Sequence, residues 1–549
     1  MYNIVNWSIC QYYFMRSIII RILIGAFALG CFLASSISFL QENQTIFLYI
    51  SAALVVVMVV FWRNRLLRNV YCIVVASIAG IVFTSWHIGH LMPDNNFYGE
   101  ISTEGIIVAE PVQKPTYQQL IIRVEQSSAK EKGSLYAGPT YDKATVGKRD
   151  DSGDENEIAS HTRNDSRNIL VKAETYPIYK YGDRVKFTGT VEKVESFETE
   201  QGTIFDYPNY LLMKYKAVGI VKYPRDVEKV SSGEANSIIA GILEVKHKVE
   251  DVISQTMTEP QGALDQGLLT GTRINFTEKF EEALRRTGTT HIIAISGFNI
   301  SIILAIFFAF VRRSAGYWPA IICGFLAVTI FTILTGANAS IVRASIMGSL
   351  GIVAILFGRQ VKIEHTIFIA AGLMIIINPL IVRFDAGFQL SFLAVLGLVY
   401  FAPKFDTWFA RIPGYSKLHK SIREALSSTF AAQMLTWPVI LILFGQISII
   451  APIINAIILP FIPMTMGLGF AAAVISMIFP LASQLVSFFP WVLLSGIVKL
   501  IEWAAQLHGA VITSYDFSPW WIIVWFVMVA IWINYYEIKN QISNLKVTK

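Results

Sequence analysis

Long apolar runs separated by short, often basic connectors dominate the chain, and each comes near the ~20 residues that carry a helix across a hydrocarbon core. Three open it, at roughly residues 22–40, 45–62 and 70–86. Nine more come later, at 289–310, 316–335, 341–357, 366–382, 387–402, 428–444, 461–479, 485–507 and 520–535. The pattern predicts a polytopic α-helical membrane protein with about twelve transmembrane helices. Residues 449–460, with Pro452, Asn455 and Pro460, are left over. They read as a re-entrant or broken segment, which a membrane tolerates only where it lines a cavity or the protein interior.

The basic residues orient these spans. Arg16 and Arg21 precede the first run and Arg63, Arg65 and Arg68 separate the second from the third, which places the N-terminus in the cytoplasm. Counting onward, Arg312 and Arg313, then Arg359 and Lys362, then Lys404, Arg411, Lys417, Lys420 and Arg423, and finally Lys539, Lys546 and Lys549 all fall on that side. The C-terminus is then cytoplasmic too, and the region directly after the third span is outside.

That outer region, residues 97–230, has period-two patterning and the composition of a water-soluble domain. Runs at 100–110, 118–125, 169–174, 183–194 and 216–223 predict five strands, with Tyr181-Gly182-Asp183 as a turn before the alternating Val185, Phe187 and Gly189. Five short strands suit an oligonucleotide/oligosaccharide-binding (OB) barrel, and equally other small β domains. Between them, 126–168 is rich in Lys, Asp, Ser, Asn and Gly and too poor in large apolar residues to order itself, so a disordered insert is expected. Residues 236–257 predict an amphipathic helix with Ile238, Ile242, Val245, Val249 and Val252 on its apolar face, and 261–271 and 278–286 continue as short helices. The organisation is therefore a three-helix membrane block at 1–96, an OB-like β domain at 97–230, amphipathic and short helices at 231–288, and a second membrane block at 289–549.

Composition narrows the classes. With 549 residues, 54% hydrophobic and 15% charged, the chain is not a set of soluble domains. The first apolar run has no small-residue cleavage site and is read as an uncleaved span. A net charge of +6 permits an anionic partner without requiring one. Cys10, Cys31, Cys72 and Cys323 lie in or near apolar segments without metal-ligand spacing, so no metal site, disulfide framework or cofactor is expected.

Polar side chains at membrane depth are the candidate functional residues, because hydrocarbon offers an imidazole or amide no compensating water. The stretch from Arg285 to Ser301 carries His291, Ser296, Gly297 and Asn299 into a span. Ser296 and Gly297 also suit close helix packing, and His291 also suits simple solvation at the interface. Asn338 precedes, and Arg343 lies within the first turns of, another span, where a guanidinium costs ~2.5–3.5 kcal/mol at mid-helix. It either snorkels to headgroups or lines an anion path. Asp385, Gln389 and Ser391 open a further span, Gln433 lies in the next, and Asn455 sits in the leftover segment. Together they predict a bundle with a polar interior.

Several motifs in order, Leu268-Leu269-Thr270-Gly271, Leu284 through His291, Ser296-Gly297, Arg343-Ala344 with Met347, Gly387 through Phe392 and Phe444-Gly445, resemble the ComEC/Rec2 family of DNA-uptake channels. The three spans and β domain ahead of them, including Phe205-Asp206-Tyr207 and Tyr210-Leu211, resemble that family's N-terminal region. The resemblance implies a bacterial inner-membrane channel, not an enzyme, that passes single-stranded DNA during natural transformation, with the β domain outside as an OB-type DNA contact or a brace for the channel mouth. It further implies a separate DNA receptor and an ATP-driven cytoplasmic motor, and it is compatible with a homo-oligomer. Two departures matter. Asn299 stands where the family often has histidine, and there is no His-x-His-x-Asp-His motif of the family's metallo-β-lactamase-like domain, so a separate nuclease is expected.

Two other classes compete with a channel. A secondary transporter or lipid flippase should show an internal repeat, and none is visible. An intramembrane hydrolase would pair Ser296 as nucleophile with His291 as base, but five residues on one helix separate their faces by ~140°.

Overall fold

In the computed structural model, the structure describes residues 24–35, 65–91, 97–124, 167–198, 204–272, 276–293, 297, 300, 308, 310–358, 363–507, 509–513, 524–525 and 528–529. The second apolar run (45–62), nearly all of the insert, most of the span at 289–310 and nearly all of the last span lie outside the described residues. The chain divides into two compact units, one holding the β domain (91–196 and 206–240) and one holding the membrane helices.

The membrane unit begins with α1 (Ile24–Ser35) and α2 (Arg65–Leu91). Among the described residues five helical stretches are long and apolar enough to cross a membrane: Tyr317–Leu334, Ala386–Phe409, Lys420–Phe444, Ala451–Ile478 and Pro480–Ala505. Shorter apolar helices occur at Ile24–Ser35, Ala76–Gly89, Ala339–Ala354 and Ile363–Ile377. This is an α-helical membrane protein with an appended β domain.

The β unit has a strand in each of the five runs of period-two alternation, β1 (Gly99–Ile107), β3 (Gln118–Val124), β4 (Arg167–Ala173), β5 (Arg184–Val191) and β8 (Ala217–Lys222), and adds the two-residue β2 (Val112–Gln113) and β9 (Arg225–Ser231); the short β6 (Phe197–Glu198) and β7 (Ile204–Phe205) belong to the other unit. Strand β4 begins at Arg167, two positions inside the expected insert. The sheet runs β8-β4-β3-β1-β5-β9, antiparallel except for the β4–β8 pair. It curls back on itself, since Glu192 beyond β5 exchanges backbone hydrogen bonds with Ile220 of β8 at 2.9 and 3.1 Å.

Alternation sorts the apolar residues onto two faces. Ile107, Leu120, Ile122, Ile169, Val171, Val185, Phe187 and Val221 fill the inside of the curl. Ile121, Leu170 and Ile220 point the other way and are covered by Leu211 of α3 (Tyr207–Tyr215). Helix α3 and the edge strand β9 were not expected. At nine residues α3 is too short to show a clear apolar period, although Asp206, which caps its N-terminus by accepting from Asn209 N, and the following Pro208 are start signals.

In the membrane unit, α4 (Ser237–Thr256), α5 (Gln261–Thr270) and α6 (Glu278–Thr287) pack against α14 (Ala451–Ile458), α15 (Ile462–Ile478) and α16 (Ser483–Ala505) in one core containing Ile253, Leu264, Leu268, Phe280, Leu284, Ile454, Met466, Leu494 and Ile501. The face of α4 that its period suggested is buried only in part: Ile242, Val249 and Val252 are partly buried, with Val249 packed on this core. Ile238 and Val245 are exposed, whereas Leu243, Lys246 and Ile253 face inward. Lys246 is tolerated there because Glu250, 3.9 Å away, shares its carboxylate with the hydroxyl of Thr270. Helix α5 is buried along nearly its whole length rather than amphipathic.

Between these lie α7 (Thr290–Ile293), α8 (Tyr317–Leu334), α9 (Ala339–Leu356), α10 (Ile363–Ile377), α11 (Ile381–Phe384), α12 (Ala386–Phe409) and α13 (Lys420–Phe444). Helices α12 and α13 run past their apolar stretches, leaving only 410–419 between them, and they touch closely at Gly397, where a Cβ would overlap the Ala431 carbonyl. The segment expected to be re-entrant or broken is helical. It passes from α14 through a 3₁₀ turn at Leu459–Phe461, beside Pro460, directly into α15.

Candidate functional site

The motif from Leu284 to His291 builds a joint between α6 and α7. Helix α6 stops at Gly288, whose φ of 66° suits glycine and whose N–H satisfies the carbonyls of Leu284 and Arg285. Thr287 and Thr289 are fully buried and pair through their hydroxyls at 2.8 Å. His291 is exposed and donates from Nδ1 to the Gly288 carbonyl at 3.0 Å. A carbonyl only accepts, so this bond selects the Nδ1-protonated tautomer and leaves Nε2 as an acceptor.

Past that joint, two stretches converge on Arg343 of α9. Arg343 is 7% exposed as a residue; its Nη1 donates to the Ser391 carbonyl of α12, and its guanidinium carbon lies 5.6 Å from the centre of the Phe392 ring. Nε has no partner, and among the described residues no carboxylate pairs with it. Gly297 completes the contact. A Cβ there would sit 3.0 Å from Ala344 Cβ and 3.4 Å from Arg343 Nη2, so glycine lets its helix approach the cation. Arg343 is therefore held inside the bundle and does not snorkel to a surface.

The other polar candidates separate by role. Asp385 caps α12 by accepting from Phe388 N at 3.0 Å, and Gln389 donates to the carbonyls of Val382 and Arg383 at 2.9 and 2.8 Å. Both side chains organise the α11–α12 turn one to two helical turns before Ser391. Asn338 is exposed and closes the turn ahead of α9, donating to the Thr335 carbonyl at 3.2 Å. Asn455 is buried in α14 and Gln433 is partly buried in α13; each has a side-chain oxygen without a hydrogen-bond partner. Ser296 and Asn299 lie outside the described residues. Thus Gly297 and Arg343 come together with the start of α12, while His291 and Asn338 occupy exposed turns.

One buried acid was not anticipated. Asp265 on α5 is fully buried, neither carboxylate oxygen has a hydrogen-bond partner, and it lies against Gly469 of α15, where a Cβ would overlap it. Burial raises its pKa from 3.8 to about 7. Its only sequence signal was an acid inside Ala-Leu-Asp-Gln-Gly-Leu-Leu, a stretch that reads as amphipathic until the surrounding helices are known. Among the described residues no group of three or more His, Cys, Asp or Glu is arranged to hold a metal.

Residues 268–539, which contain Arg343, Gly297 and the whole α12 contact, match the family described as Competence protein. The chain belongs to this competence-protein family, of ComEC/Rec2 type. It is 25% identical over 371 residues to ComE operon protein 3 of Bacillus subtilis (strain 168), covering 67% of this chain and 45% of that protein. It is 22% identical over 281 residues to the uncharacterized protein YcaI of Escherichia coli (strain K12), covering 48% of this chain and 36% of that one. The chain thus spans less than half the length of either relative. No solved structure matches it significantly.

Proposed function

We propose that this protein forms a passage in the bacterial cytoplasmic membrane through which single-stranded DNA enters the cell during natural transformation. The observation that carries the reading is Arg343, a buried cation without an acidic partner among the described residues, inside the segment that matches the competence family. A guanidinium held by a carbonyl and a ring keeps donors for a phosphate, and passing a strand of any sequence needs sparse positive charge rather than base readout. The β domain lies outside the membrane as an OB-type barrel. Its five-stranded closed path, β1-β3-β4-β8-β5, supports that reading. The basic connectors face the cytoplasm. The passage conducts and does not cut, so a separate receptor, nuclease and ATP-driven motor deliver, process and pull the strand.

The test is deletion of the gene in a transformable host, with labelled DNA then tracked. DNA should gather outside the cytoplasmic membrane, protected from the cytoplasm, and transformation should vanish. Normal entry of label into the cytoplasm of the deletion strain would sink the proposal.

A further inference from the structure

We propose that a rim of tyrosines and lysines around α3, formed by Tyr117, Tyr207, Tyr210, Tyr215, Lys172 and Lys214, is the surface on which the β domain engages single-stranded DNA. The inference rests on the reading that the protein handles such a strand, and adds where the strand lies. Helix α3 covers the outer face of β3, β4 and β8, seating Leu211 on Ile121, Leu170 and Ile220, with Tyr207, Tyr210 and Tyr215 packed around that contact and only partly buried. Tyr207 and Tyr210 stack with ring centres 6.3 Å apart and planes 17° apart. Lys214 Nζ lies 5.6 Å from the centre of the Tyr210 ring and 5.0 Å from that of Tyr215, and donates to the Tyr210 hydroxyl at 3.2 Å.

The same surface continues onto the sheet. Lys172 alternates with Val171 and so shares the outer face with Leu170, and its Nζ lies 5.0 Å from the ring centre of Tyr117, which leads into β3. The Tyr207 phenol is raised in pKa by burial and then by Tyr117, Tyr210 and Tyr215, which puts all four rings in one neighbourhood. Nearby acids are engaged: Asp206 caps α3 and Glu192 pairs with Lys222 at 2.7 Å. The rim therefore offers π-faces and ammonium groups together. A strand matches both, since a base stacks on any aromatic face while its phosphate draws the lysine off the ring. Tyrosine beside lysine also suits lipid headgroups, and the experiment separates that case.

The full-length protein in lipid nanodiscs is titrated with a fluorescent oligothymidylate at low salt. Tyr210→Leu, which keeps an apolar body on α3, should weaken binding about tenfold. Lys214→Gln should weaken it less and flatten its salt dependence. Unchanged affinity in both variants, beside binding by the parent, overturns this surface and leaves the proposed function standing. Failure of the parent itself to bind overturns the proposed function and this surface with it. Tyr210→benzoylphenylalanine supplies a readout that does not depend on lost affinity. Crosslinking to the oligonucleotide is expected, and crosslinking to lipid alone overturns the assignment.

Discussion

Replacing Asp265 with asparagine should make the protein more stable, and increasingly so as pH rises. In the unfolded chain this carboxyl ionises near 3.8; in the folded protein burial without a donor holds it at about 7. Between those values the folded state retains a proton that the unfolded state has released, so the contribution of Asp265 to stability falls as pH rises from ~4 to ~7 and is flat above. The difference between those two values corresponds to roughly 4 kcal/mol. Asparagine keeps the shape and never ionises. Asp265→Asn should therefore exceed the parent by roughly 1–2 kcal/mol at pH 5 and by about 4 kcal/mol at pH 8. Chemical unfolding of the detergent-solubilised full chain at both pH values measures the difference, which cancels every other titration. A difference that does not grow with pH would refute the reasoning and imply that the carboxylate has a compensating partner.

Gly469→Ala should lower membrane abundance, at a cost of roughly 1–3 kcal/mol, because its Cβ would overlap the Asp265 carboxylate; Asp265→Ala in the same chain should restore most of it, as immunoblots of membranes would show. Arg343→Ala should abolish transformation at normal membrane abundance, since the cation bonds to the Ser391 carbonyl and its loss strands no acid among the described residues; Arg343→Lys should retain part of the activity. Degradation of the alanine variant would count against a role in the passage. Asp385→Ala should cost about 1 kcal/mol of thermal stability through the lost α12 cap, and Asp385→Ser much less. A cysteine at Lys417, in the short α12–α13 connector, should react with an impermeant reagent only after the cytoplasmic membrane is opened.

Much of this protein was legible along one dimension. Apolar runs of span length and the period-two patterning within 99–124 and 167–222 depend on periods of 3.6 and 2, which adjacent residues impose on each other before any tertiary contact forms. Hence strands and helices fell close to their expected places, and the motif order of the second membrane block carried the family. The caps that the structure shows at Gly288, Gly445 and Asp206 are local in the same sense, because a φ value or an unpaired N–H must be met by the residue at hand, although they were not read from the sequence. The partner that a given face meets is not local. α4 offers more than one apolar stripe, and only the tertiary core decided that Ile253 and Val249 are packed while Ile238 and Val245 stay exposed. The same holds for the polar residues. Asp385 and Gln389 looked like members of a polar interior, yet bonds three to seven residues away engage them in the α11–α12 turn. Asp265 looked like the polar side of a short amphipathic helix until α15 and its neighbours removed all water from it. Burial belongs to a neighbourhood assembled from distant parts of the chain, and with it go the fate of a charge and the value of a pKa.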